Sequence, residues 1–366
     1  MNYKLQSMTE KNNTPPQKIL LVRTDRLGDV VLSTPAIKII KDNFPSASIS
    51  FLCQPSTREV LEGNPYLDEV IICDKYGKHR NIPGLCRLIW SIRRKKFDWA
   101  IILHPTNRVH IIAFLAGIPL RIGWDKKSAF LLTRKLPHLK HKGIKHESEY
   151  NLDILKELGL TITSPCFYFP NKESATQKVN LLLQKQKALS KKLVAVHPSA
   201  SCASKRWPQI KFIRLIRLIK NDFPDVIIAL LTSEKESQFA DKIAEEKEIL
   251  DLRGKLSIPE IGALLKKSIL FISNDSGPVH ISAALDTPVI SIFGRNDPGI
   301  SPRRWKPLGR DCFYLKEETG CQPCLAHNCT KNFLCLQTLT AERVYSLAKK
   351  IISSSSVETI NSDTPL

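Results

Sequence analysis

The chain has 366 residues, more than one ordinary hydrophobic core holds together, so two domains are the default. Its 42% hydrophobic content excludes a disordered chain. The longest apolar run, 111–120, is broken by Gly117 and Pro119 and falls far short of the roughly 20 residues that span a bilayer. With 55 lysines and arginines against 35 aspartates and glutamates, the formal net charge is +20. That favours polyanionic partners: nucleic acid, anionic lipid or a phosphorylated substrate.

The start, MNYKLQSMTEKNNTPPQK, is polar, without an apolar core or cleavage site. It reads as a tail (1–17) rather than a signal peptide, and points to a cytoplasmic protein. KILLVR (18–23) is a strand, followed by a loop and a helical stretch to about Asn43. ASISFLC (47–53), EVIIC (69–73) and WAIIL (99–103) read as further strands. Short apolar strands alternating with helices imply an α/β fold with a parallel sheet covered on both faces. In 84–96, Leu85, Leu88, Ile89 and Ile92 recur at helical spacing as a core stripe. Trp90 falls on the other side near Arg87, Arg93 and Arg94, which suits either a solvated face or an anionic membrane surface. Residues 121–146 hold eight lysines and arginines and three histidines, and KLPHLKHKGIKHE (135–147) reads as a mobile loop.

Residues 171–192 lack glycine and proline and suit a polar helix linking two units. The rhythm then restarts with LVAVHP (193–198), a helix from Pro208, VIIALL (226–231), a helix from Glu234 and ILDL (249–252). A helix from Ile258, ILFIS (269–273), VISIFG (289–294) and a helix at 340–352 follow, ahead of a Ser-rich tail. The expected organisation is two Rossmann-like units, 18–175 and 176–350, with a C-terminal tail at 351–366. Doubly wound sheets bind ligands at the C-terminal ends of their strands, so the loops after Arg23, Pro198, Leu231 and Ser273 are where chemistry is expected.

Four stretches there carry candidate residues. In RTDRLGDVVLSTP, Gly28 permits a tight turn and Asp29 stands at a strand-to-helix junction, where helix cap and general base are both open readings. The dinucleotide pattern G-x-G-x-x-G is absent. In VAVHPSASCASKRWP, the hydroxyls of Ser199, Ser201 and Ser204 precede Lys205 and Arg206 ahead of a helix, an arrangement suited to an anion. In FISNDSGPVH, Ser276 reads as a helix cap and Pro278 as the first helical residue, with Asp275 and His280 nearby. Glu236, after the strand ending at Leu231, could accept both hydroxyls of a ribose or simply favour a first helical turn.

In this order, Arg23 to Asp29, His197-Pro198 with Lys205-Arg206-Trp207-Pro208, and Asn274-Asp275-Ser276-Gly277-Pro278 with His280 and TPVISIFG resemble the ADP-heptose–lipopolysaccharide heptosyltransferases, glycosyltransferase family nine. The likeness extends from Lys18 to about Lys350. It implies a GT-B fold, an N-terminal acceptor domain and a C-terminal nucleotide-sugar domain. It also implies inverting, metal-independent transfer of heptose from ADP-heptose to the lipopolysaccharide inner core, and no D-x-D signature occurs in the chain. By this resemblance Asp29 is the general base, and Lys205 with Ser201 neutralises the diphosphate. Glu236 holds the ribose, Leu256 packs the adenine, and Asp275, Ser276, Gly277 and His280 surround diphosphate and sugar. The acceptor is a phosphorylated lipid, for which Arg23, Arg26, Lys140 and Lys142 are the candidate contacts, and the enzyme sits on the cytoplasmic face of an anionic inner membrane. Two departures bear on the donor pocket. Ser199 stands where the family commonly has glycine, and Thr232-Ser233 replace a usual glycine pair.

Ten cysteines remain to be placed. Cys53 and Cys73 end apolar runs and read as small buried hydrophobes. Cys321, Cys324, Cys329 and Cys335, with His327 among them, fit a structural zinc or iron–sulfur site, reduced thiols or late disulfides. No cofactor is expected for catalysis itself. A related glycosyltransferase using another nucleotide sugar, a nucleotide-binding module without turnover and a basic nucleic-acid-binding protein are the rival functions. Against the last, no nucleic-acid-binding module is visible and the lysines are not set among aromatics.

Overall fold

Strands rich in isoleucine, leucine and valine can be apolar on both faces only if both faces are covered, and the chain builds two such parallel sheets. The computed structural model describes residues 15–361; the outer parts of the expected tails, 1–14 and 362–366, lie outside the described residues. The first sheet contains β1 (Lys18–Val22), β2 (Ser48–Cys53), β3 (Glu69–Ile72), β4 (Trp99–Ile102), β5 (Leu120–Asp125) and β6 (Arg134–Pro137), in the order β3-β2-β1-β4-β5-β6. The second contains β7 (Lys192–His197), β8 (Val226–Leu230), β9 (Ile249–Asp251), β10 (Ser268–Asn274), β11 (Val289–Ile292) and β12 (Cys312–Leu315). Its order, β12-β11-β10-β7-β8-β9, is the first sheet's order repeated. In both halves the first strand lies between the second and the fourth, in parallel register: Val22 opposite Leu52 and Ile102, Val196 opposite Leu230 and Ile272. Each half therefore has its topological switch point there, and the crevice beyond the strand ends is where ligands bind.

Alternation along the strands divides the cores. Leu20, Val22, Leu52, Ala100 and Ile102 face Leu88, Ile89 and Ile92 of the helix Ile82–Lys95, while Ile19, Leu21, Phe51 and Ile101 face the opposite layer. The stripe expected on that helix is buried apart from Leu85, which packs at its edge, and Trp90 is 60% exposed with the Arg94 guanidinium 4.6 Å from its ring. Phe212, Leu215 and Ile216 of the helix Gln209–Asp222 and Val344 and Ala348 of the helix Ala341–Asn361 cover the second sheet.

Several elements differ from expectation. The basic stretch 121–146 contains β6, an edge strand, and Lys140 within it is buried. The linking helix is shorter, Glu173–Lys185, and its Lys178 pairs with Glu260 at 2.6 Å in the layer of the second half. A domain boundary at 175 falls in that helix's first turn. The helix expected from Glu234 is a 3-10 segment, Glu234–Ala240. The last helix runs through the serines to Asn361, so most of the expected tail from 351 is helical. No helix among the described residues is long and apolar enough to cross a membrane.

Candidate active site

The crevices of the two sheets open into one cavity of about 850 Å³, lined from the first half by Arg23, Arg26, Gly28, Asp29 and His104 and from the second by Ser201, Lys205, Glu236, Asp275 and His280, among others. Two glycines bring the halves together beside the cavity. A Cβ on Gly28 would lie 2.7 Å from His280 Cδ2, and one on Gly277 would lie 3.3 Å from the Gly28 nitrogen. Gly28 belongs to the short helix Leu27–Val31, so close approach explains it where a tight turn was expected.

Asp29 is the third residue of that helix and does not cap it; the cap position is Arg26, which makes no side-chain capping bond. The Asp29 carboxylate accepts from Arg23 Nη2 at 2.6 Å. Burial, with the neighbouring charge of Asp25, pushes its pKa up to about 6 despite Arg23. Arg23, buried at the end of β1, also donates to Asp25 (2.8 Å), Glu147 (3.0 Å) and Asn151 (2.9 Å). Burial works against the charge of Arg23, but the three carboxylates outweigh it and raise its pKa. Behind it, Glu147 at the start of the helix Glu147–Glu157 is fully buried. Lys140 Nζ reaches it at 2.7 Å, and Arg304 of the second half donates to it at 2.6 and 2.9 Å. Lys140 thus faces inward, and burial pushes its pKa down to about 8. Lys142 is exposed and lines a separate cavity with Arg303, while Arg26 reaches Ser201 across the cleft at 3.5 Å.

On the facing wall, Asn274 at the end of β10 stitches the preceding loop in place: it donates to the Pro198 carbonyl (2.6 Å) and accepts from the Trp207 amide (3.1 Å). Trp207 is buried, its indole N–H on the Leu339 carbonyl at 3.0 Å. That fixes Lys205, whose Nζ lies 3.1 Å from Asp275; Arg295, after β11, meets the same carboxylate at 2.5 Å. Two cations on one carboxylate leave a surplus positive charge beside the N-terminus of the helix Gly277–Ala284. Ser276 precedes that helix without a side-chain capping bond, and Pro278 is its second residue; the Ser276 hydroxyl bonds Ser273 at 2.9 Å. Ser199 is fully buried and donates to Glu236 at 3.1 Å, so it acts behind the cavity wall, whereas Leu256 and Glu236 line the cavity. Burial keeps His197 and His280 neutral, their pKa values lowered to about 4 and about 3. His280 Nδ1, Thr232 Oγ1 and Arg295 Nε, in three residues that line the cavity, are buried without hydrogen-bond partners.

His104, Arg295, Arg304 and Glu147 were not singled out from sequence. His104 and Arg295 follow strand ends, a signal that applied equally to them; Glu147 had none. Cys321, Cys324, Cys329 and Cys335 line one small cavity, and Cys324 and Cys329 each accept a backbone N–H at 3.4 Å. Even so, among the described residues no group of three or more histidines, cysteines or carboxylates is arranged to hold a metal. His327 bonds Ser204 instead, at 2.9 Å.

The chain resembles lipopolysaccharide heptosyltransferase 3 of Escherichia coli K12, with 28% identity over 89% of this chain and 95% of that protein. Its fold matches a family 9 glycosyltransferase from Veillonella parvula (TM-score 0.82, 22% identity, 92% of this chain and 98% of that one). It also matches the ADP-heptose lipopolysaccharide heptosyltransferase II of E. coli (TM-score 0.74, 21% identity, 93% and 99%). The two Rossmann-like halves facing across a cleft are a GT-B fold. A model of the family described as glycosyltransferase family 9 (heptosyltransferase) matches residues 85–334, and the chain belongs to that family of glycosyltransferases.

Proposed function

We propose that this enzyme transfers heptose from ADP-heptose to the inner core of lipopolysaccharide by single displacement with inversion. One observation carries the reading: Asp29 and the Lys205–Asp275–Arg295 cluster line the same cavity from opposite halves. The acceptor hydroxyl oxygen forms a bond to the anomeric carbon as the bond to ADP breaks, and its proton goes to Asp29. A carboxylate with a pKa of about 6 is ionised at neutral pH yet basic enough for that task. The leaving diphosphate gathers negative charge beside Lys205, Arg295 and a helix N-terminus, with Ser201, Ser276, Gly277 and neutral His280 around it. Glu236, held by Ser199 and Ser233, takes the ribose hydroxyls, and Leu256 packs the adenine.

Residues 18–175 serve as the acceptor lobe and 176–350 as the donor lobe. Arg26 and Lys142 are the acceptor contacts, whereas Arg23 and Lys140 act from behind Asp29. The exposed Trp90–Arg94 pair rests on the anionic cytoplasmic face of the inner membrane. No step passes through a metal, and nucleic acid is not a partner. A second reading, another nucleotide sugar as donor, draws on Thr232 and Ser233, which line the cavity where the family commonly has glycines.

Incubation with ADP-heptose and graded truncated lipopolysaccharides, followed by mass spectrometry, tests the proposal. One acceptor should gain a single heptose, and D29N should lose the activity. Transfer from a different nucleotide sugar only would reject the donor assignment.

A further inference from the structure

The charges around Arg23 form a closed set. Arg23, Lys140 and Arg304 stand against Asp25, Asp29 and Glu147, three cations and three carboxylates joined by direct contacts. Five belong to the first lobe; Arg304, on the segment Pro302–Trp305, belongs to the second. Glu147 is the only member touching both Arg23 and Arg304, one oxygen for each: Oε1 accepts from Arg23 and Lys140, and Oε2 accepts both Arg304 nitrogens. The neighbouring His146 repeats the join, its Nε2 lying 2.9 Å from the Lys306 carbonyl. A fully buried glutamate between three cations is costly to assemble, and a charge in such a place acts strongly on its neighbours.

We propose that Glu147 is a positioning residue for the transfer: it links Arg304 of the donor lobe, through Arg23, to the Asp29 carboxylate, so that the base is balanced by a cation from the lobe that holds the leaving group. This rests on the assignment of Asp29 as base. With Arg304 in place the set is neutral when Asp29 is ionised. Without it the set carries one surplus negative charge, and Asp29 holds its proton more tightly. Other charged and titratable groups face Asp29 or its helix, among them Arg26, which lines the same cavity and reaches Ser201. His104 lies 3.3 Å from Asp25 and is kept neutral by burial and by Arg23. The turn Pro55–Val60, packed on the same helix, carries Arg58 and Glu59, one charge of each sign, with Arg58 paired to Glu62. Across the cavity stand His280 and the Lys205–Asp275–Arg295 cluster.

The test is kcat and KM against pH for the full chain with ADP-heptose and its lipopolysaccharide acceptor. In E147Q a negative charge is lost, and the acidic limb of kcat/KM should move down by on the order of one pH unit. In R304Q a positive charge is lost, and the limb should move up by a similar amount, with R304K restoring it. A residue that merely supports the fold would lower activity equally at every pH. Limbs that move together, or stay fixed while kcat falls, overturn the proposal. Should E147Q not fold, R304Q and R304K decide alone, because Arg304 lines the cavity and is less buried than Glu147. Turnover by D29N would remove the base assignment and this inference with it. Inactive D29N combined with unmoved limbs would leave the base standing and remove only the link.

Discussion

Two opposing influences act on Asp29, the residue we propose as the base. Burial and Asp25 disfavour its charge, while Arg23 at 2.6 Å favours it, and the balance falls at a pKa of about 6, above the usual aspartate value. The sign for activity follows directly. The base must be ionised to accept a proton, so the group is competent above that pKa and idle below it. We expect kcat/KM of the wild-type enzyme to be level near neutral pH and to fall tenfold per unit below about 6. A limb near 4, the value of an ordinary exposed carboxylate, would mean that another group sets the acidic side. Much of this site was legible in the residues themselves: an aspartate, a lysine and a histidine beyond strand ends can be found by counting. Glu147 could not, because its meaning depends on Arg23 and Arg304, 124 and 157 residues away. A glutamate opening a helix looks like any first-turn acid until the fold brings three cations to it.

At the scale of elements, the interior strands were legible because burial on both faces forces an unbroken apolar run, as in VIIAL of β8. β6, with the sequence RKLP, is a short edge strand half exposed along its length, and exposure lets its composition look like loop; β12, CFYL, is an apolar edge strand of only four residues, too short to stand out as an element. The helix Ile82–Lys95 was legible for the same reason as β8, since Leu88, Ile89 and Ile92 must face a core. Its other side carries Trp90, exposed, with the Arg94 guanidinium 4.6 Å from its ring, and the membrane contact we propose for this pair can be tested directly. We expect the wild-type chain to sediment with phosphatidylglycerol vesicles and not with phosphatidylcholine vesicles. W90S with R94E should reduce that binding several-fold while leaving turnover on a detergent-solubilised acceptor unchanged. Equal sedimentation of variant and wild type would show that this face is only a solvated one.

For the whole molecule, the repeated sheet order explains why a single cavity is lined by both halves. Each half turns its switch point toward the other, so groups from β1 and β4 confront groups from β7 and β10. Two such halves need not unfold together; lobes joined by a polar linker commonly melt apart. In this chain, however, one apolar cluster runs continuously from Ile37 and Phe51 of the first half through Phe169, Ala175 and Val179 to Leu264 and Phe271 of the second. Phe169 is the joint: the Gly262 position has no room for a Cβ, which would lie 2.2 Å from the Phe169 ring. A shared core couples the lobes more firmly than a wet interface would, and calorimetry should therefore show one transition. F169A removes the ring at that joint and should cost about 3–5 kcal/mol. Because it empties the contact between halves rather than the centre of either, it should also split the single transition into two. Two transitions in the wild type would show that the cluster does not couple the lobes in solution and that the polar and close contacts between them, such as those at Glu147, His146 and Gly28, do not make them unfold together.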